Sequence, residues 1–252
     1  MKLEDWKQLL KHGNIIYIGE NYIAGVSETF GAKIHRHPLI EIYVSCDGDS
    51  YVNTPQGGVQ GGIIMIGPNA DHAIADTGKP GFALFLDPLT ETGYSLWRNT
   101  SGNRVIRTEA MTDSLRRQLD GLPAAAPGSS LQCISDLLIA TLQGDPVERP
   151  FDVPVFRTIE LLADENCDYD MDELSREVFL SKSRLAHVFS AQTGITLKEY
   201  LQYKRLESAC RKMLRGANIT EAAFDTGFAG SSHIAMSSMK LTGMQLRKML
   251  NL

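Results

Sequence analysis

The chain has little that would anchor, staple or export it. No run approaches the roughly 18 apolar residues that cross a bilayer, and the opening MKLEDWKQLLKHGN carries acidic residues without the apolar stretch of an export signal. The expectation is a cytoplasmic chain with no membrane partner. Cysteine is scarce, with four at positions 46, 133, 167 and 210 and no CxxC spacing. That argues against a disulfide scaffold and against a thiolate zinc cluster, and it suits reduced thiols. No nucleophile with an orienting base stands out, so no catalytic residue is assigned. At 252 residues the chain has room for two domains with separate cores.

Charge is divided between the ends. Residues 174–252 hold 12 Lys plus Arg against 5 Asp plus Glu, and residues 1–173 hold the other 13 against 25, so a total of −5 conceals +7 joined to −12. A basic end on an acidic remainder suits nucleic-acid contact confined to that end, since phosphate neutralisation supplies most non-specific DNA affinity. A solvated basic face would show the same count.

Within the basic end, LSREVFLSKSRLAHVFSAQTG (174–194) and AFDTGFAGSSHIAMSSMKLTG (223–243) lie 49 residues apart, each closing on Thr-Gly. In the first copy Leu174, Val178 and Phe179 fall at helical spacing. Ser181 or Ser183 then offers an N-cap, and Leu185, Val188 and Phe189 make a second apolar face. The outline is a helix-turn-helix, spanning about 172–193 and again about 220–242. Lys182, Ser183, Arg184 and His187 fall on the outward side of the second helix, beside Ser181; short polar groups and cations at the start of a helix suit a major groove. Between the copies Leu197–Leu214 reads as one long helix, roughly 27 Å at about 1.5 Å per residue, with Lys198, Lys204, Arg205, Arg211, Lys212 and Arg215 off its apolar stripe. Such a strut approaches the roughly 34 Å that separates major-groove faces on one side of a duplex.

SRLAHVFSAQTGITLKEYLQYKRLESACRKML followed by NITEAAFDTGFAGSSHIA resembles the DNA-binding domain of the AraC/XylS family of bacterial transcription regulators. The resemblance covers about 100 residues and implies two helix-turn-helix units in an all-α domain over 151–252, with sequence-specific promoter binding, an effector-sensing N-terminal domain, a homodimer and contact with RNA polymerase. The second unit departs from the family pattern. From Ala229 to Met239 there is no Lys, Arg, Asp or Glu, Met236 replaces the usual Arg, and Ser238 replaces the usual buried Phe. The first unit is therefore expected to read bases, with Ser231, Ser232 and His233 of the second near the backbone.

The acidic half reads differently. From Asn14 to Leu86 short apolar runs (IIYI, EIYV, IIMI, FALFL) alternate with Gly, Pro, Asn and Asp clusters, the pattern of a small all-β barrel or sandwich. Gly31, His35, His37, Glu41 and Gly48 form G-x3-H-x-H-x3-E-x6-G, and Gly62, Pro68 and His72 form a weaker second run. Both resemble the motifs of the cupin barrel, whose metal-binding members present three His and one Glu to a divalent ion. Placed on one strand, His35, His37 and Glu41 share a side, and with His72 they make a ligand set for Zn, Fe, Ni or Mn. A satisfied polar pair in a barrel is the plainer alternative. Tyr17, Tyr43, Tyr51 and Phe85 are candidate lining for an organic effector.

The fold class expected is thus multidomain α and β: a cupin-like barrel over 1–108, a helical connector over 109–150 and the two-unit helical domain. In the connector, helices are expected over Glu109–Leu119 and Leu131–Leu142, broken by 122–130, with Leu131, Leu138 and Leu142 as a dimer stripe. The function expected is a transcription regulator whose barrel binds a small molecule or metal. A cupin metalloenzyme tethered to DNA, or a regulator whose second unit grips a protein partner, are the alternatives.

Overall fold

In the computed structural model of the chain, the residues described are 14–27, 31–45, 49–99, 105–108, 127–163, 169–243 and 245–250. They fall into two compact units, residues 1–148 together with 242–252, and residues 149–241. The expected helix over 109–119 lies outside the described residues.

The first unit is built on antiparallel strands: β1 (Ile15–Ile18), β2 (Tyr22–Ser27), β3 (Ala32–His35), β4 (Ile40–Ser45), β5 (Ser50–Thr54), β6 (Gly57–Gly61), β7 (Ile63–Ile66), β8 (His72–Ile74), β9 (Gly81–Leu86) and β10 (Val105–Thr108). They form a six-stranded sheet in the order β1-β2-β9-β4-β7-β10 and a four-stranded sheet in the order β3-β8-β5-β6. Alternation along β4 sorts its side chains. Ile40 and Ile42 join Ile63, Met65, Leu84 and Leu86 in a buried cluster with helices α1 (Glu91–Asn99) and α2 (Pro127–Leu142), which leaves Glu41, Tyr43 and Ser45 on the opposite face.

Helix α2 begins four residues before the expected start, on Pro127, because a first helical position needs no backbone donor. Leu131 and Leu138 are 0% and 1% exposed against the sheet, each contributing about 1.5–3 kcal/mol by burial. The stripe proposed for dimerisation is therefore used inside the chain. Tyr22 adds a polar tie, its hydroxyl donating to Asp136 Oδ1 at 3.0 Å.

The second unit is helical: α3 (Val153–Ala163), α4 (Met171–Glu177), α5 (Lys182–Thr193), α6 (Leu197–Leu214), α7 (Ile219–Phe224) and α8 (Ser231–Thr242). A short α9 (Leu246–Leu250) follows. Local chemistry sets these ends. Asp170 and Glu173 close a capping box on α4, Asn218 and Glu221 close another on α7, and Ser181 and Thr196 cap α5 and α6. Helix α6 has the 18 residues expected. Lys204, expected on its solvated side, is instead buried in an ion pair with Glu207 at 2.6 Å, and the same carboxylate takes Arg211 at 2.8 Å. Each carboxylate oxygen thus meets one cation, the condition for burying a charge.

Phe179 is the chief local departure from expectation. Read as a core residue, it stands in the turn after α4 at φ 57° and is 93% exposed. The turn needs a left-handed residue to release the chain from α4, and Leu180 rather than Phe179 turns inward. A bulky side chain in that conformation costs roughly 1–2 kcal/mol, which glycine avoids. Phe179→Gly is therefore expected to stabilise the helical unit by about 1 kcal/mol, read as a higher denaturation midpoint.

Candidate metal centre and nucleic-acid interface

Four of the predicted site residues meet in the barrel, by a route the spacing did not show. His35 ends β3 in one sheet and Glu41 lies on β4 in the other, while His37 occupies the crossing between them. Pro38 cannot continue a central strand, so the three residues converge by a change of sheet and not by alternation on one strand. His72 arrives on β8, in register with His35.

Their hydrogen bonds define what the cluster can do. His35 Nδ1 lies 2.8 Å from Lys33 O, His37 Nδ1 3.1 Å from Leu39 O and His72 Nδ1 2.9 Å from Ala70 O. A carbonyl only accepts, so each Nδ1 donates and each ring turns its Nε2 inward, where that nitrogen either donates to a carboxylate or, without a proton, offers a lone pair. Two of those nitrogens face Glu41 Oε2, His72 at 2.9 Å and His37 at 3.2 Å. The third, His35 Nε2, is buried with no hydrogen-bond partner among the described residues. One donor atom from each of the four residues lies within 4.8 Å of the others.

Lone pairs facing a buried carboxylate repel unless something positive lies between them. Protons answer this in part. Burial opposes a charged His72, and the bonded Glu41 carboxylate outweighs it and raises its pKa. Burial likewise favours a neutral Glu41, yet the hydrogen bonds from His37 and His72 hold its carboxyl far below the usual range. Burial, then the neighbouring His72, lowers His35 to about 4, so it stays neutral and available as a ligand near pH 7. Three imidazole nitrogens and one carboxylate oxygen, with outer nitrogens held by carbonyls, are the donor set and outer shell of a divalent transition-metal site. One neighbour was missed in sequence: a side-chain carbon at Gly243, φ 65°, would come 2.8 Å from His35 Nδ1. Its place at the close of the second repeat gave no hint of that contact.

The candidate effector residues divide. Tyr43 follows Glu41 by two on β4, and Phe85 pairs with Glu41 across β4 and β9 with its ring edge-on to His37 at 5.5 Å; both share the face of the histidine cluster. Tyr17 packs instead with the cluster on the helix side of the sheet. Tyr51 alternates with buried Ser50 and Val52 and is 43% exposed. These two lie off the interior because strand parity, not aromatic character, decides the face.

In the helical unit, Ser181 caps α5 by accepting from the Arg184 amide at 3.2 Å. Lys182, Ser183, Arg184 and His187 are exposed, while Leu185 and Phe189 are buried. Lys182 pairs with Asp172 at 2.5 Å. On α8, Ser232 and His233 are exposed and Ser231 is half-buried. His233 has a local task, since its Nδ1 accepts from the Ala229 amide at 3.3 Å and its ring stands edge-on to Phe228. Ser238, in place of the expected aromatic, is fully buried.

Two helix pairs, each with an exposed face on its second helix, define a helix-turn-helix DNA-binding protein. Residues 174–251 match the family described as "Helix-turn-helix domain". These residues are thus a helix-turn-helix domain, of the AraC type. It is 24% identical over 221 residues to the probable transcriptional regulator LumQ of Photobacterium leiognathi, covering 83% of this chain and 88% of that one. The fold is shared with ToxT of Vibrio cholerae. An apo form superposes with a TM-score of 0.58 at 10% identity, covering 93% of this chain and 98% of that one. An unsaturated fatty acid-bound form gives 0.55 at 11%, covering 92% and 95%. Among the described residues no helix is long and apolar enough to cross a membrane.

Proposed function

We propose that this regulator controls transcription in response to a divalent transition-metal ion held by His35, His37, Glu41 and His72. The observation that carries the reading is the shared orientation of the three imidazoles, each with its outer nitrogen bonded to a backbone carbonyl and its inner nitrogen turned to the cluster, those of His37 and His72 on Glu41. Bound there, the metal would supply a charge that joins the two sheets. The protein's part is to keep the donors neutral, oriented and dry. If the two charge states of the site favour different arrangements of the chain, metal shifts the population competent for DNA.

A second reading has support of its own. Tyr43 and Phe85 flank the same face, and ToxT has been solved with an unsaturated fatty acid, so an organic carboxylate is the competing effector. Selection of the full-length chain against a random duplex pool separates the two. Enrichment of a sequence that changes with zinc or nickel, and not with an unsaturated fatty acid, is expected. Enrichment that responds only to the fatty acid would replace the metal reading, and none under any condition would sink the regulator reading.

A further inference from the structure

The helical unit carries a groove of about 650 Å³ between α5, α6 and the start of α4. Its floor is apolar, from Ala186, Leu197 and Leu201, its cations are Lys198 and Arg205, and the His187 ring lines its wall. The opposing carboxylate, Asp170, is engaged as the cap of α4, accepting from the Asp172 and Glu173 amides at 2.8 Å each.

The other cations of α6 show why this end is distinctive. Lys204 and Arg211 share Glu207, and Lys212 reaches Asp225 at 3.4 Å. Arg205 donates to the Tyr169 carbonyl at 3.2 Å and the Gly227 carbonyl at 3.5 Å, and its Nε is buried with no partner among the described residues. Lys198 is exposed, with no carboxylate within ion-pair reach among the described residues. A helix rich in cations thus pairs three of them with carboxylates and leaves Lys198, in its first turn beside the recognition helix, without an ion pair among the described residues, its neighbour Glu199 being bonded to Thr196.

We propose that this groove is a clamp for the sugar-phosphate backbone, with Lys198 as its phosphate contact and α5 reading the adjoining groove of the same duplex. This rests on the DNA-binding reading. Continuity decides the occupant: His187 belongs both to the exposed face of α5 and to the groove wall, so a duplex seated on Arg184 and His187 continues past Ser190 towards Lys198. Deoxyribose between phosphates meets the apolar floor, and the phosphates meet the cations. An acidic protein segment would meet the same chemistry but would compete with the duplex for His187.

Phosphate contacts carry no base information, which gives the test its form. Full-length protein is titrated with mixed-sequence duplexes over a range of salt. Lys198→Gln is expected to weaken all duplexes alike, several-fold near 0.1 M salt, and to lower the slope of log affinity against log salt by about 0.9. Lys212→Gln, removing a paired lysine from the far end of α6, is the control, and thermal denaturation checks that both variants fold. A full slope in Lys198→Gln overturns the clamp, as does an equal fall in Lys212→Gln or a loss confined to some sequences. Failure of the unaltered chain to bind any duplex would overturn the DNA-binding reading itself.

Discussion

Purified without an affinity tag, the chain is expected to hold close to one divalent transition-metal ion, and His35→Ala/His37→Ala to hold none. The expectation follows from the charge balance of the cluster. Without a metal, the buried carboxylate is held by hydrogen bonds from His37 and His72 alone, and the Nε2 of His35 is left over. A metal would take all four donors at once and so satisfy His35 Nε2, which has no hydrogen-bond partner among the described residues. Affinity should fall as pH is lowered, because bound imidazoles must give up competing protons. Gly243→Ala gives a variant that keeps all four donors. Its added carbon presses on His35 Nδ1 and its backbone is left-handed, so affinity should drop by about tenfold, the scale of a disturbed outer shell. Elemental analysis and metal titration read both results. An empty wild type after metal-replete expression, in a sample that unfolds cooperatively, would leave His37, Glu41 and His72 as a polar network and the fatty-acid reading ahead.

How much of this was legible beforehand depended on whether side chains or backbone held the information. Helix caps are written in side chains, so Ser181 marked the start of α5 in advance and α6 keeps the expected ends, while Asp170, Thr196 and Asn218 prove to be caps of the same kind. The four metal-type residues were visible by kind and spacing. Their geometry was not, since Pro38 diverts the chain between sheets and the acceptors that orient the imidazoles are carbonyls, which every residue type carries. Periodicity marked the apolar stripe of α2 without saying what covers it; the barrel sheet covers Leu131 and Leu138 and leaves Leu142 partly buried. Phe179 fell at helical spacing and faces water because the turn requires a left-handed residue, a demand that apolarity cannot signal.

Arg184→Ala is expected to cost the largest share of sequence-specific DNA binding of any single change on the two second helices. Arg184 stands in the first turn of α5, exposed, with no carboxylate within ion-pair reach among the described residues. Lys182 beside it is paired with Asp172 and must leave that partner to touch DNA. The corresponding face of α8 offers Ser232, His233, Met236 and Lys240, where His233 already closes its own turn. A guanidinium on a guanine edge discriminates by about 1–3 kcal/mol, or roughly tenfold to a hundredfold, whereas a hydroxyl such as Ser232 contributes a single neutral bond. Arg184→Ala should therefore weaken the selected duplex at least tenfold and flatten preference at one base position, with Ser232→Ala within about threefold of the parent. His233→Ala should act mainly by loosening the turn before α8, lowering thermal stability more than base preference. Equal losses for Arg184→Ala and Ser232→Ala in duplex titrations at fixed salt would mean that both units read bases, and that α8 does so through hydroxyls and Met236 in place of the cations it lacks.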